Sequence, residues 1–405
     1  MKILSVHSSY QLPGGEDHVF AQEADMLRSH GNEVVLYQVS NDQVKGVNPL
    51  VLLANTIWNR SIQQELRVLM QREKPDIVHV HNTFPVISPA VYYAAGEAAI
   101  PVVQTLHNYR LLCPAATLFR DGHVCEDCVG KAIPWPGVVH GCYRRSRLAT
   151  AAGAAMIATH HYKQTWSEAV SAYIALTEFA RGKFIEGGLP AEKIFVKPNY
   201  LQTDPGPGEG KGNYAFFVGR LTPEKGIGTL LEAWRHLGRD LPLQIAGVGR
   251  LAAEVEKASN ELEGVTWLKW LPRAEILQRM KDASMLIVPS TWYEGFPMVM
   301  VEAYAVGLPV LASNLGSMSS IVIHQRTGLH FAPGQAGDLV DKVRWFLAHT
   351  EEAARMRQKA RLEYESKYAG ERNYAQIVSI YESVLSARVN LEECSSTPMQ
   401  GNIRS

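Results

Sequence analysis

The 405-residue sequence has no excess of charge of either sign. Its 40 lysines and arginines are matched by 40 aspartates and glutamates, a formal net charge of zero. That balance supplies no global field to draw a polyanion, so nucleic acid is not an expected partner. No run of 18 or more apolar residues occurs, so no membrane-spanning helix is expected. The opening Met1-Lys-Ile-Leu-Ser-Val6 reads as a core strand and not as a signal peptide, which makes the cytoplasm the expected compartment. No Asp-x-Asp triplet is present to hold a divalent cation between phosphates. Cysteine is scarce, five in all, yet Cys113, Cys125, Cys128 and Cys142 fall close together. The tight Cys125-x-x-Cys128 pair suits a structural zinc site, while the two outer cysteines are single and match no standard ribbon. A disulfide or redox pair and four free thiols stay open beside zinc. Pro114, Pro134 and Pro136 make the stretch a long irregular loop, which needs a staple or a function.

What is present is an alternation of buried strands and helices. The chain is too long for one ordinary core, so two domains are expected. Lys2–Val6, Glu33–Val39, Asp76–His81 and Pro101–His107 are apolar enough for strands of a parallel sheet covered on both faces. An alanine-rich helix is expected from Arg144 to about Ala169. Two prolines and four glycines in residues 199–212 read as a linker, after which the alternation restarts. The expected division is a first domain over 1–198, the linker 199–212, a second domain over 213–370 and a terminal helix over 371–388 crossing back to the first domain. Residues 389–405 are polar and expected to be disordered.

The stretch Ser290-Thr-Trp-Tyr-Glu294-Gly-Phe-Pro-Met-Val-Met-Val-Glu302 follows the apolar strand Ala283–Pro289. Pro297 suits the first turn of a helix. The free amides of Phe296, Met298 and Val299 would then form an anion or hydroxyl site flanked by Glu294 and Glu302. A capping glutamate and a surface glutamate are the plain alternative. Arg220 and Lys225, at the end of the second half's first strand, supply two cations, and Gly247-Val-Gly249 a glycine turn; together these can hold a diphosphate. In the first half Gly14-Gly15 stands between a strand and a helix, either as a phosphate loop or as a tight turn. His107 ends a strand and is either a cleft residue or a structural histidine. Arg144, Arg145 and Arg147 are either a solvated helix start or a contact for a phosphate-bearing acceptor or an anionic membrane.

Arg220-Leu-Thr-Pro-Glu-Lys225-Gly and Glu294-x7-Glu302 with its Gly-Phe-Pro centre resemble the signature of retaining glycosyltransferases of family GT4. The cysteine stretch resembles a branch of that family associated with bacterial surface polysaccharides. The resemblance runs from residue 1 to about 388. It implies an α/β GT-B fold, two Rossmann-like doubly wound domains facing a cleft. It implies transfer of a hexosyl group from a UDP- or GDP-sugar to a saccharide or lipid-linked acceptor, in polysaccharide biosynthesis, with no cofactor or metal required for catalysis. It places Arg220 and Lys225 on the diphosphate and Glu294 on the transferred sugar, helped by Gly295, Phe296, Pro297, Met298 and Val299. Glu302 would bind the ribose, Gly14, Gly15 and Gly247 would approach the donor, and His107 would lie beside the sugar. Peripheral contact with the inner face of a membrane is part of the same expectation. One departure is Gly316-Ser-Met-Ser, where the family often has a Pro-Glu pair. The rival expectations are another GT-B enzyme, such as a nucleotide-sugar epimerase or a phosphorylase, and a non-catalytic sugar-nucleotide-binding module.

Overall fold

The computed structural model describes residues 1–11, 14–44 and 46–396, with residues 389–396 as helical backbone only. The strands, in chain order, are β1 (Lys2–Ser9), β2 (Glu33–Ser40), β3 (Ile77–Asn82), β4 (Val102–Leu106), β5 (Phe119–Arg120), β6 (His123–Val124), β7 (Ala172–Ala175) and β8 (Ile194–Val196). They continue as β9 (Ala215–Val218), β10 (Leu243–Ala246), β11 (Val265–Lys269), β12 (Met285–Val288), β13 (Val310–Ser313) and β14 (Gly328–Phe331). Two six-stranded sheets result, ordered β2-β1-β3-β4-β7-β8 and β11-β10-β9-β12-β13-β14, with every described pairing in them parallel. The short β5–β6 ribbon stands apart. Every residue of β3, β4, β7, β12 and β13 is buried, as a sheet covered on both faces requires.

The strand order decides where a ligand can sit. In each sheet the chain winds outward one way and then returns to wind the other way. The two helices that leave the reversal point diverge and open a crevice at the strands' carboxyl ends. The reversal lies between β1 and β3 in the first sheet and between β9 and β12 in the second. The residues following β9 and β12 are those of the Arg220–Lys225 and Ser290–Glu294 loops.

Three elements differ from the sequence reading. The alanine-rich helix begins at Arg147 and stops at Tyr162, because Gln164 adopts a left-handed backbone (φ 54°) and a single π turn, Thr165–Ala169, follows. The cysteine stretch holds the β5–β6 ribbon and a helix, Trp135–His140. The terminal helix runs from Gly370 to Ser396, so the expected tail from 389 is helical over its first eight residues; 397–405 lie outside the described residues. That helix lies back against the first sheet. Ile377, Ile380, Tyr381 and Val384 are buried with Ile3, Val103 and Ile174. At about 1.5–3 kcal/mol for each fully buried large side chain, this seam is a main fastening of the helix. No helix among the described residues is long and apolar enough to cross a membrane.

Candidate active site

The site begins with what holds the Glu294 loop. After β12 the chain turns through Pro289 and Ser290, and the loop 219–226 presses against it from β9. A Cβ on Gly226 (φ 72°) would come 1.8 Å from the Pro289 carbonyl oxygen, so only glycine allows the two loops this close. Thr291 donates its amide to the Glu224 carbonyl at 2.9 Å. The close approach brings Lys225 Nζ 2.7 Å from Glu294 Oε1, and Ser290 Oγ donates to the same oxygen at 2.6 Å. Glu294 is buried, which by itself would raise its pKa; the Lys225 charge and the two hydrogen bonds outweigh this and hold the carboxyl below its ordinary range. It is therefore an ionised acceptor beside a cation.

The next helix, Met298–Ala305, starts on Pro297 with no side-chain cap. Its first amides are the unfilled donors expected from the sequence. Arg220 is exposed at the end of β9 and makes no ion pair among the described residues, so its charge is free for a ligand. Gly247 lies against this loop: its Cβ would fall 1.9 Å from the Gly219 carbonyl oxygen, and its own amide is committed to the Lys269 carbonyl at 2.7 Å. It shapes the wall and has no amide to offer a donor. Glu302, one turn into the helix, pairs with Arg273 at 3.1 Å. Burial raises its pKa and Arg273 opposes this only in part.

The opposite wall comes from the first sheet. His107 follows β4, and a Cβ on Gly295 would come 2.6 Å from its carbonyl oxygen. The two halves thus meet at Glu294's neighbour. The contact is extended by Ser317, which donates to the Gly295 carbonyl at 3.0 Å and bonds Thr177 at 3.1 Å; the residue at the family departure therefore ties the Glu294 loop to the first half. Gly295→Ala should push the walls apart at a cost of about 1–3 kcal/mol and lower the melting temperature, which a thermal melt checks.

Gly14 and Gly15 are less simple than the sequence implied. Gly14 caps the helix Gly15–Ser29, but its amide donates to Asp17 Oδ2 at 2.7 Å, and Asp17 Oδ1 lies 2.9 Å from His7 Nε2. Glu16 accepts from Asn108 at 2.7 Å, and burial raises its pKa. Two carboxylates at that helix start suit hydroxyl groups better than phosphate. Gly15 has nothing within 4 Å of where a Cβ would stand, which leaves room on that side.

Two features were missed in the sequence. The first is Glu126, inside the Cys125-x-x-Cys128 turn. It accepts from Tyr293 Oη at 2.7 Å and pairs with Lys183 at 2.9 Å, so the cysteine stretch braces the residue next to Glu294. The four cysteines themselves are free, and burial pushes the Cys128 thiol up to about 11. Among the described residues, the one set of three metal-ligating groups whose atoms all lie within 4.8 Å of one another is Glu23, His79 and His81, not the cysteines.

The second is a buried polar chain behind His107. Glu23 pairs with Lys197 at 2.9 Å and lies 3.1 Å from His79 Nδ1 and 3.3 Å from His81 Nε2. Tyr381, on the terminal helix, reaches His79 Nδ1 at 2.7 Å, and His81 Nδ1 lies 3.0 Å from His107 Nε2. Burial would raise the Glu23 pKa, but Lys197 and His79 overcome it and keep the carboxyl well below its ordinary range. Glu23 Oε1 and His81 Nε2 face each other at 3.3 Å without hydrogen-bonding geometry, so an ionised Glu23 favours the His81 proton on Nε2 by its charge alone. His81 Nδ1 then accepts, His107 Nε2 donates, and His107 Nδ1 is left a bare acceptor, buried and without a partner among the described residues.

Burial depresses the pKa of His7, His81 (to about 3), His107 and His160. Below pH 6.5 the unfolded chain takes up protons these histidines refuse when folded. Their stabilisation is complete above 6.5 and lost as pH falls, at no more than about 1.4 kcal/mol per pH unit for a histidine that stays neutral in the fold. The melting temperature should be flat from pH 8 to 7 and fall steadily from 6.5 to 5. A flat profile across that lower range would contradict the burial of this cluster.

Comparison with known proteins places this arrangement. Residues 13–204 match the family model Glycosyltransferase Family 4, and residues 203–363 match Glycosyl transferases group 1. The chain belongs to the group 1, family 4-like glycosyltransferases. It is 24% identical over 305 residues to the uncharacterized glycosyltransferase YqgM of Bacillus subtilis, covering 73% of this chain and 74% of that protein. It is 30% identical over 178 residues to the uncharacterized glycosyltransferase MJ1178 of Methanocaldococcus jannaschii, covering 44% of this chain and 50% of that one. The chain thus spans about half the length of one of these relatives and three quarters of the other. Among solved structures it resembles HepE of Anabaena in complex with UDP, at 19% identity and a TM-score of 0.66, over 95% of this chain and 100% of that one. That likeness shows the GT-B fold of this glycosyltransferase family member.

Proposed function

We propose that the chain is a retaining glycosyltransferase of family GT4 that moves a hexosyl group from a UDP- or GDP-sugar to a hydroxyl of a saccharide or lipid-linked acceptor. The reading rests most on one observation: Glu294 is held ionised against Lys225 at the reversal point of the second sheet, beside an uncapped helix start. Lys225, the free Arg220 and the first amides of that helix would neutralise a departing nucleoside diphosphate. Glu294 would accept hydroxyl hydrogens of the sugar, Glu302 those of the ribose, and His107 Nδ1 a further sugar hydroxyl from the other wall. The acceptor hydroxyl would attack from the face that the diphosphate leaves, passing its proton to the departing phosphate. Glu294 is already engaged by Lys225 and Ser290, which suits a sugar-holding role better than that of a covalent nucleophile. The scheme needs no cofactor, and its divalent-ion independence is part of the proposal.

The HepE structure of the same fold contains UDP, which favours a uridine donor as the first to try. Thermal-shift screening against UDP, GDP and their sugars should select one nucleotide. Transfer with the selected donor should then persist in EDTA and give a product with the donor's anomeric configuration by proton NMR. An inverted product, or no nucleotide-dependent shift, would refute the assignment.

A further inference from the structure

Between Cys113 and Cys142 the chain has little of its own to hold it in place. Its regular structure there is the β5–β6 ribbon and the six-residue helix Trp135–His140. Leu118 is the one large aliphatic side chain of the stretch that is buried, while Ile133, Trp135 and Val139 each stand more than half exposed. A stretch of this length with so small a core needs a cross-link. Yet Glu126 within it holds a fixed position, accepting from Tyr293 at 2.7 Å beside Glu294.

Four of the chain's five cysteines fall in this stretch, and its turns bring them together; the Cys128 thiol feels the charge of the other three. Gly137 lies at the meeting point. A Cβ on it would stand 3.5 Å from Cys128 Sγ and 3.3 Å from the ring of Pro114, the neighbour of Cys113, and its carbonyl accepts the Cys142 amide at 3.1 Å. β6 runs directly into Cys125, and Arg120 pairs with Asp127 at 2.9 Å to pin the Cys125–Cys128 turn to the ribbon. Inside that turn the Asp127 amide faces the Cys125 sulfur, and the Gly137 amide faces the sulfur of Cys128. Amides aimed at sulfur favour the thiolate, the form that binds a metal. Two disulfides would use all four sulfurs but give those amides no charge to hold. Four thiolates match tetrahedral zinc. No three of the sulfurs lie within 4.8 Å of one another, whereas neighbours around one zinc stand about 3.8 Å apart. Side chains alone can supply such movement, since a change of staggered rotamer shifts a cysteine sulfur by roughly 3 Å.

We infer that Cys113, Cys125, Cys128 and Cys142 are the thiolate ligands of a structural zinc ion, which holds the turn carrying Glu126 against Tyr293. A closed four-thiolate shell has no open position for substrate, so the ion takes no part in transfer. The metal site stands apart from the proposed function; only its effect on donor KM rests on that reading. The full chain, purified in reductant, should hold about one zinc by elemental analysis, as isolated or after zinc is added back. A mercurial thiol reagent should release that zinc to a pyridylazo dye, and cobalt in its place should show the intense visible bands of a tetrahedral tetrathiolate. Cys394→Ser should keep the ion. Cys125→Ser with Cys128→Ser should lose it and melt at a lower temperature. Glu126→Ala should keep the zinc and raise donor KM about tenfold with kcat little changed, the scale of one hydrogen bond to a charged group. Tyr293→Phe should do the same, and the two together no more. A reduced chain that takes up no zinc, a disulfide among the four cysteines, iron in place of zinc, or full zinc content in the double cysteine variant would overturn the site. Zinc content is measured alongside the EDTA assay, so that loss of this ion is told apart from a need for metal in transfer. A nucleotide-dependent thermal shift in a chain that takes no zinc removes the metal site alone; zinc without any nucleotide shift removes the donor reading alone.

Discussion

Lys225→Ala is expected to lower kcat/KM for transfer about 10²–10³-fold, the scale of losing one preorganised charge at a leaving group. The variant does two things at once. It removes a cation from the proposed diphosphate position, and it strands Glu294. Breaking a fully buried pair costs about 3–5 kcal/mol, but Lys225 keeps 21% of its side chain in solvent, so a loss of about 1–3 kcal/mol is expected. Burial, the strongest influence on Glu294, would then act without its main counterweight, and the carboxyl would take up a proton more readily. Adding Glu294→Gln separates the effects. Gln still accepts from Ser290 and carries no charge, so the double variant should recover much of the melting temperature. Activity should not return, because the double variant lacks both the proposed diphosphate cation and the proposed sugar-holding carboxylate. Lys225→Arg should rescue only in part, since a planar guanidinium does not reproduce the compact ammonium that meets Glu294 at 2.7 Å. If the double variant regained wild-type kcat/KM, Lys225 would be no more than a counter-ion, and the diphosphate site would have to be sought around Arg220.

The sheets were legible because parallel strands buried on both faces read as apolar runs, and the loops after β9 and β12 were legible because Gly219-Arg220 and Pro289-Ser290 stop those runs abruptly. Glu294, Lys225 and the helix start at Pro297 therefore came straight from the chain. Tyr293–Glu126 did not: the partners are 167 positions apart, and one lies in a loop without periodicity. The Gly14 amide could not be seen as taken, because Asp17's turn back to it is a matter of side-chain geometry. The Glu23 chain left a trace that could have been followed. His79 and His81 stand two apart between the apolar residues of β3, so both face one side of the sheet. Glu23 interrupts the buried stripe of the helix that covers it. Polar residues at core positions of two adjacent elements require each other, since neither can be buried alone.

Glu23→Gln is expected to be among the most damaging single changes outside the cleft. It leaves Lys197, 2% exposed, without its counter-charge, and about 3–5 kcal/mol should be lost. It also removes the charge that favours the His81 proton on Nε2. His81 can then present either tautomer to His107, and part of the population turns His107 Nδ1 from acceptor to donor. For an enzyme that relies on that acceptor, kcat/KM should fall about tenfold beyond any loss of folded protein, roughly the value of one buried hydrogen bond. Two measurements part the structural role from the positioning role. Glu23→Gln with Lys197→Met removes both charges, and its melting temperature should recover most of the loss, because deleting a buried pair whole is far less harmful than breaking it. Its kcat/KM should stay low, with the deficit in donor KM if His107 holds the sugar in the ground state and in kcat if the contact forms only in the transition state. Tyr381→Phe supplies the second measurement. It withdraws the terminal helix from His79 but leaves Glu23 against His81, so it should lower the melting temperature and spare kcat/KM. Full recovery of both stability and kcat/KM in the Glu23/Lys197 double variant would reduce the chain to a buried salt bridge and leave His107 to be oriented by the β4 backbone alone.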